Sequence, residues 1–309
     1  MRVATYNLYL GADLSLLFGV SDLGRLAETV EVVRDQLERT RFEERARAVA
    51  SILARERPDL VGLQEVTRWT VAPHHADGSP GPETVLVDFL PALVEAMNVA
   101  GCAYDVHVVS KSFSGAMPVL GNEWLSVAGA NVTLVRRGIE VTDEASATFA
   151  ESLQLVTGIE GLSFPIVRGW SRVDVRVDGA PVRFVNAHTE AWDRDTRDAQ
   201  RDELLALNGD YEGPVVLVGD FNAGPADVGM PQEWVDSWTL GEGDGFTCGQ
   251  AADLSNAESM LDQRIDYVWV RGASVRACRV VGDVAADRST PHGLWPSDHA
   301  GVVAELELG

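Results

Sequence analysis

Polar side chains able to bind a metal ion or carry a proton stand next to several apolar segments of this sequence. Each segment is rich in residues that favour β-strands, and Asn, Asp, Glu or His stands next to it. The residues placed in this way are Asn7, Glu65, His188, Asp220, Asn222, Asp298 and His299. If these segments share one rim of a sheet, their polar groups point at a single spot. The placement predicts a site for phosphate chemistry, built from hard oxygen ligands and imidazoles.

Asn7, Glu65 and Asp298 are the candidate metal ligands. Carboxylate and amide oxygens suit Mg²⁺ or Mn²⁺, which keep several waters and need only one or two carboxylates in addition to substrate phosphate. Taken alone, Glu65 has the ordinary interpretation of a strand-end residue that caps a loop. The other polar strand ends favour its interpretation as a ligand.

The candidate proton carriers are His188, His299 and Asp220. Imidazole titrates near neutrality and acts as an acid or a base, and an Asp at a strand end can orient or deprotonate water. Gly219 permits a tight turn before Asp220, and Asn222 can donate its amide to an anionic oxygen. A simple turn is the alternative, because Gly, Asp and Asn are common turn residues.

Asp266 is an acidic residue in the otherwise apolar segment RIDYVWV. Burying it without a partner would be costly, and a histidine is the economical partner because the carboxylate then fixes the tautomer of the ring. The sequence contains no Gly-x-Ser-x-Gly elbow and no Cys–His nucleophile pattern. We therefore expect direct attack by water, without a covalent enzyme intermediate.

The chain is strongly acidic, with a formal net charge of −22 over 309 residues and a pI near 4.5. Proteins that grip a nucleic-acid backbone usually carry a basic stripe. The densest basic region, 38–58, alternates in sign at helical spacing and predicts a solvated helix face. The charge favours a small phosphorylated substrate and disfavours nucleic acid as a partner.

No apolar stretch approaches the roughly 20 residues of a membrane helix, so no transmembrane segment is expected. The N-terminus lacks the layout of a signal peptide, which favours a cytoplasmic protein, with a removed secretion leader as the alternative. No spacing of cysteines indicates zinc, and Cys102, Cys248 and Cys278 are interpreted as buried or idle thiols.

Valine-rich runs predict strands at 3–9, 59–66, 103–109, 130–137, 172–177, 181–188, 214–220, 264–271 and 301–308. Asp178-Gly179 predicts a two-residue hairpin turn. Helices are predicted at 22–57, with a break near Thr40, at 83–98 and at 196–208. The stretch 67–129 is interpreted as a loop-rich insertion, and the mixture of elements favours a mixed α/β layered protein.

In this order, TYN at 5–7, LQE at 63–65, VNAH at 185–188, GDFNA at 219–223, RIDYV at 264–268 and SDH at 297–299 resemble the endonuclease/exonuclease/phosphatase superfamily. The group includes pancreatic-type deoxyribonucleases, abasic-site endonucleases, inositol-phosphate 5-phosphatases and bacterial sphingomyelinases. The resemblance covers nearly the whole chain and implies a single domain over 1–309. It also implies a four-layer αββα sandwich of class α/β (α+β), in which two mixed sheets pack face to face with helices outside.

The resemblance implies metal-dependent phosphoester hydrolysis at one rim and assigns roles by position. Asn7 and Glu65 match the family's metal ligands, and Asp298 matches a metal-side or structural acid. His188 matches a phosphate-binding acid, and Asp220 and Asn222 match a water-orienting and phosphate-contacting pair. Asp266 matches the partner of the last histidine, and His299 matches the general base or phosphate ligand. The family often carries a further Tyr or Arg on the phosphate. Asn131 and Arg168 are the candidates here, although Arg168 is equally interpreted as a surface charge.

Three functions are compatible with these residues. The first is a hydrolase with Mg²⁺ or Mn²⁺, a phosphodiesterase or phosphatase acting on a small molecule or a lipid head group, with Trp192 among the tryptophans that could wall its pocket. The second is a DNA or RNA endonuclease or exonuclease. The third is a non-catalytic binding protein of the same fold, against which the retention of every motif residue argues.

Overall fold

The computed structural model describes residues 1–75, 79–120, 122–156, 163–289 and 291–309. Within them lie fifteen strands: β1 (Arg2–Asn7), β2 (Leu60–Pro73), β3 (Thr84–Asp88), β4 (Tyr104–Val119), β5 (Glu123–Arg136), β6 (Glu140–Thr148), β7 (Leu153–Val156), β8 (Ser163–Ile166), β9 (Gly169–Val177), β10 (Ala180–His188), β11 (Val215–Asp220), β12 (Val235–Asp236), β13 (Asp266–Arg271), β14 (Ser274–Val281) and β15 (Gly301–Glu307). The α-helices are α1 (Leu23–Arg39), α2 (Phe42–Glu56), α3 (Phe89–Val99) and α4 (Arg194–Asn208). None of the helices described here is long and apolar enough to cross a membrane.

The strands form two large mixed sheets and one small hairpin. The first sheet has the order β14-β15-β1-β2-β5-β4, with β3 also paired to β2, and the second has the order β12-β13-β11-β10-β9-β6. β7 and β8 pair only with each other among the described strands. In each large sheet one central pair is parallel, β1 with β2 and β10 with β11. The carboxyl ends of the two parallel pairs lie on one side of the molecule, where Asn7 of β1 contacts Asp220 of β11.

Three apolar clusters hold the layers together. The inner faces of the two sheets pack through residues such as Val3, Leu60, Val173 and Val218. The outer face of the first sheet packs against α1, α2 and α3, and the outer face of the second covers Leu204 of α4. The result is the predicted four-layer αββα sandwich, with helices outside two face-to-face mixed sheets.

The predicted break in the first long helix is present between α1 and α2. Thr40 ends α1, and Arg41 takes the left-handed conformation with φ 41°. The predicted hairpin turn is also present, since Asp178 and Gly179 have φ values of 51° and 86° between the antiparallel strands β9 and β10. Two consecutive positive φ values give the turn whose twist matches that of the strands it joins.

The interpretation of 67–129 as loop-rich is wrong for its described residues. Most of them belong to the long strands β2, β4 and β5, to β3 and to α3, while 76–78 and 121 lie outside the described residues. The predicted helix 83–98 is correspondingly a short strand followed by a helix that starts at Phe89. Gly115 and Pro118 suggested a loop, but β4 ends the order of its sheet, where proline is tolerated.

Candidate active site

The strand ends meet at one rim, and register explains how. Asn7, His188 and Asp220 are the last residues of β1, β10 and β11, and His188 pairs directly with Asp220 across the parallel ladder. Asp220 also pairs with Asp266 of the antiparallel β13. The two sheets join here, because the Asn7 Nδ2 donates to Asp220 Oδ2 at 3.0 Å.

Asp220 is the hub of the rim. Its Oδ2 lies 3.5 Å from His188 Nε2 and 3.8 Å from His299 Nε2, and its Oδ1 accepts the backbone N–H of Asn222 at 2.9 Å. Gly219 allows the end of β11 to lie close to β10, since a Cβ on Gly219 would lie 1.9 Å from the Ala187 carbonyl oxygen. Burial, with the charge of Asp266 beside it, raises the pKa of Asp220 to about 6. The carboxyl group is therefore ionised at neutral pH but close to its titration range.

Asp266 and His299 form a buried pair. The Nδ1 of His299 lies 2.8 Å from Asp266 Oδ2, which leaves Nε2 facing Asp220. Burial opposes the charged imidazole, but the Asp266 carboxylate, together with Cys248 and Asp298, overcomes this and holds the pKa of His299 well above its usual range. In the protein by itself, the imidazole ring of His299 is therefore protonated at neutral pH and lies beside carboxyl groups.

His188 has the opposite electrostatic environment. Its ring nitrogens lie 3.1 and 3.4 Å from one guanidinium nitrogen of Arg168. Burial of the ring, with this cation beside it, holds the pKa of His188 well below its usual range. The two histidines at this rim therefore have pKa values shifted in opposite directions, so that His188 is neutral and His299 is protonated.

Glu65 and Asp298 form a second, negative part of the site. A bulge sets Glu65 into the cavity: the pairing of β2 with β5 shifts between Leu63 and Val66, and Glu65 has φ 54°. Its Oε2 accepts the backbone N–H of Leu10 at 2.7 Å. Removal from bulk water raises the pKa of Glu65, and the same effect together with Glu65 raises that of Asp298 to about 7. Among the described residues, no Lys or Arg forms an ion pair with either carboxylate.

A cavity of about 520 Å³ opens at this rim. The predicted site residues that line it are Glu65, Arg168, His188, Trp192, Asp220, Asn222, Asp298 and His299. Arg168 is buried, with its guanidinium 5.6 Å from the ring of Trp192, so it is not a surface charge. Trp170 and Trp295, which the sequence also places near the motifs, pack in apolar clusters and do not line the cavity.

The structure does not bring Asn131 to the cavity. Its side chain is fully buried between the sheets, where Nδ2 donates to the Gly169 carbonyl oxygen at 2.8 Å. The bulge in β2 explains the position: Gln64 and Glu65 together stand opposite Asn131, and only Glu65 reaches the rim. Asn131 therefore joins β5 to β9 beneath the site.

Arg45 is a residue of the site that the sequence did not reveal. It lies in α2, in the region interpreted as a solvated helix face, but it is fully buried. Its guanidinium donates to the carbonyl oxygens of Leu8 at 2.7 Å and Pro296 at 2.9 Å, which tie the segments after Asn7 and before Asp298 together. The signal was its place on the apolar stripe of the helix, three residues after Phe42.

Cys248 also lies in the site. Its backbone bridges to His299, and its thiol lines the cavity, unlike those of the buried Cys102 and Cys278. Burial raises the pKa of the Cys248 thiol, so the reactive thiolate form is disfavoured. This environment makes Cys248 a poor nucleophile.

The comparisons with known proteins agree with this architecture. The sequence profile described as "Endonuclease/Exonuclease/phosphatase family" matches residues 4–299. A mannosyl-6-phosphatase from Bacteroides thetaiotaomicron is similar over 100% of both chains, with 18% identity and a TM-score of 0.64. An endonuclease/exonuclease/phosphatase from Bacteroides vulgatus shares 19% identity over 100% of this chain and 98% of its own, with a TM-score of 0.61.

TDP2 from D. rerio, solved with a single-strand DNA product, shares 16% identity over 99% of this chain and 98% of its own, with a TM-score of 0.60. No curated protein matches the chain. The profile spans nearly all of the sequence, and the site motifs lie within the matched range. The chain therefore belongs to the endonuclease/exonuclease/phosphatase family.

Proposed function

We propose that this protein is a divalent-metal-dependent phosphoester hydrolase, a phosphodiesterase or phosphatase, that uses direct attack by water on a small-molecule or lipid-head-group ester. One observation carries the proposal: His188, His299 and Asn7 converge on the Asp220 carboxylate, within 3.0 to 3.8 Å, at the cavity. Family membership supports hydrolysis of phosphoesters, and the named phosphatase among similar structures supports a small substrate.

Mg²⁺ or Mn²⁺ fits the donors that this site offers. Glu65 and Asp298 line the cavity and carry negative charge that no described Lys or Arg neutralises by an ion pair. Asn7 lies behind the cavity lining, and its amide oxygen, which accepts the Tyr9 N–H at 3.0 Å, keeps a second lone pair. Asp220, Asp266 and His299 also place ligand atoms within 4.8 Å of one another, but the His299–Asp266 hydrogen bond already occupies two of these groups. We therefore assign Glu65, Asp298 and Asn7 as the residues that would hold the cation. When bound, the dication supplies positive charge that neutralises phosphate oxygens and favours the neutral form of His299.

Side chains of the protein bind the phosphate, orient the water and transfer the proton. Arg168 presents a planar guanidinium to phosphate oxygens and keeps His188 neutral. Asp220 orients the attacking water, and His299, whose Nδ1–H is held by Asp266, accepts a proton at Nε2. Asn222 lines the same cavity; its Nδ2 donates to the Thr189 carbonyl oxygen at 3.0 Å, and its second N–H serves the phosphate. Since the Cys248 thiol is held protonated, water remains the nucleophile.

A nuclease is the second candidate, supported by the DNA-bound TDP2 structure. Among the described residues that line the cavity, however, Arg168 is the only Lys or Arg. A groove that binds along a nucleic-acid backbone needs several Lys or Arg side chains. The net charge of −22 also opposes the binding of nucleic acid. A binding protein without activity is the third candidate, but every predicted catalytic side chain is present and all but Asp266, which lies behind His299, line the cavity.

The test is a panel of phosphoesters with Mg²⁺ and with Mn²⁺: mono- and bis-nitrophenyl phosphate, sugar phosphates, nucleotides and sphingomyelin, beside a plasmid-nicking assay. We expect release of phosphate or nitrophenol that is lost in Asp220→Asn and kept in the exposed control Asp244→Asn. Strong plasmid nicking at low enzyme would favour the nuclease. No turnover of any ester would leave the binding protein as the better account.

A further inference from the structure

The cavity extends from the phosphate site along a set of apolar side chains. We call this set the apolar wall; its members are Leu14, Leu17, Phe18, Phe113, Met117 and Trp192. The first two belong to a 3-10 helix that follows β1, and Phe113 and Met117 belong to β4. Phe113 and Met117 are also part of the core beneath the first sheet. The wall is thus a place where this core opens into the cavity.

A continuous path of contacts joins the apolar wall to the catalytic rim. Arg168 contacts His188 at 3.1 Å, and the Arg168 guanidinium lies 5.6 Å from the Trp192 ring. The Trp192 ring in turn meets Phe18 edge to face, with ring centroids 4.8 Å apart. A group attached to a phosphate at Arg168 would therefore lie against these two aromatic rings. Trp192 is 49% exposed, which places this pair at the mouth of the cavity.

Several polar side chains of the cavity are already satisfied by the protein. Asp13 caps the 3-10 helix by accepting from Ser15 N at 2.9 Å and from the Ser15 hydroxyl. Gln250 donates to Ser259 Oγ at 3.0 Å, and its Oε1 accepts from Asn256 Nδ2 and the Met260 N–H, both at 2.8 Å. Gln250 and the Oδ1 of Asp13 therefore have little capacity left for a sugar hydroxyl, and the apolar wall offers such a hydroxyl no hydrogen-bond partner.

We infer that the apolar wall binds an alkyl group esterified to the phosphate, so the substrates are phosphoesters of hydrophobic alcohols. The inference rests on the proposed function and narrows its substrate class. The oxygen of water forms a bond to phosphorus as one ester P–O bond breaks. From an alkyl phosphate the alkyl alcohol leaves with a proton, whereas from an alkyl 4-nitrophenyl phosphate the nitrophenol leaves and the alkyl group stays on the phosphate. A cavity of about 520 Å³ has room for such a chain beside the phosphate.

The experiment is a homologous series of soluble esters: methyl, butyl and octyl phosphate, and the matching alkyl 4-nitrophenyl phosphates. We expect kcat/KM to rise with chain length by about fourfold for each of the first methylenes, the factor that follows from burying a CH₂ group. The series is run beside vesicles of phosphatidylcholine that contain phosphatidic acid. The rise with chain length tests the alkyl site. The comparison of the monomers with the vesicle lipid tests only whether the substrate is a soluble ester or a membrane lipid.

Two variants test the wall itself. Phe18→Ser and Trp192→Ala each remove one partly exposed ring, and we expect the octyl-to-methyl ratio of kcat/KM to fall by about tenfold. Leu16→Ser is the matched control, since Leu16 lies in the same 3-10 helix, is 40% exposed and does not line the cavity. The ratio in this control is expected to equal that of the unaltered protein.

The outcomes separate the two proposals. Turnover that is independent of chain length overturns the alkyl site and leaves the hydrolase intact. Absence of turnover for every ester overturns the hydrolase, and calorimetric binding of octyl phosphate against methyl phosphate then decides the alkyl site. Tighter binding of octyl phosphate that Phe18→Ser weakens supports it, and equal binding overturns it.

Discussion

His299 and Asp266 form a hydrogen bond of 2.8 Å beneath the cavity, and this bond fixes which ring nitrogen of His299 faces Asp220. Asp266 is 1% exposed and does not line the cavity, so it acts through the histidine. A carboxylate in this position orients the ring and stabilises its protonated form.

We expect Asp266→Asn to lower kcat by about a hundredfold, within the range of acid–base contributions, while KM changes little. The pKa of His299 should fall, because the charge that raises it is gone, and the corresponding limb of the pH–rate profile should move to lower pH. Steady-state kinetics from pH 5 to 9 measure both effects. A rate within a fewfold of the unaltered protein would show that the pair is not used.

Arg45 should control both stability and the metal site. Arg45→Met leaves the Leu8 and Pro296 carbonyl oxygens without their buried donor, at a cost of about 3 kcal/mol. Because these carbonyls belong to the segments that carry Asn7 and Asp298, affinity for Mn²⁺ should fall as well. Urea unfolding and calorimetry measure the two effects, with the exposed Arg47→Met of the same helix as control. Metal affinity equal to that of the control would limit Arg45 to a structural role.

Binding of Mn²⁺ should weaken as the pH falls. The pKa of Asp298 is about 7, so at pH 6 the carboxyl group is mostly protonated and a proton must leave before the cation binds. Release of one proton predicts an affinity about tenfold lower at pH 6 than at pH 8. Glu65→Gln should weaken binding at both pH values, whereas the exposed Glu258→Gln should not. An affinity that is independent of pH would remove Asp298 from the ligands.

The metal-free protein should gain stability from Asp298→Asn at alkaline pH. The folded-state pKa of Asp298 is raised from 3.8 to about 7. Between these values the folded state binds more protons than the unfolded state, so this group's contribution to stability is lost as the pH rises through 7. In chelator, the melting temperature at pH 8 should rise by about 2 °C, with a smaller rise at pH 5, where only part of this stability has been lost. A lower melting temperature at pH 8 would contradict the unpaired-carboxylate account.

Several site residues were predictable because strand ends have a physical meaning in the sequence. Asn7, His188 and Asp220 each close a short apolar run, and parallel pairing brings such ends together. The Asp178-Gly179 turn and the break at Thr40 were also predictable, since both depend on local backbone preferences. These features need only the residues next to them.

Other features depend on contacts distant in sequence. Arg45 stands among alternating charges, and only the carbonyl oxygens of Leu8 and Pro296, far along the chain, make its burial possible. Asn131 was displaced from the site by a bulge in the neighbouring strand, which its own sequence does not show. The apolar wall combines a 3-10 helix, β4 and the loop after β10, so no single segment carries its pattern.

The most direct test of the central claim is the rate of phosphoester hydrolysis by the unaltered protein and by His299→Ala, measured side by side with Mg²⁺. We expect turnover by the unaltered protein and a loss of about a thousandfold in the variant, as befits a group that carries the proton in the transition state. Equal rates in the two proteins, or no hydrolysis by the unaltered protein with any divalent cation, would contradict the account.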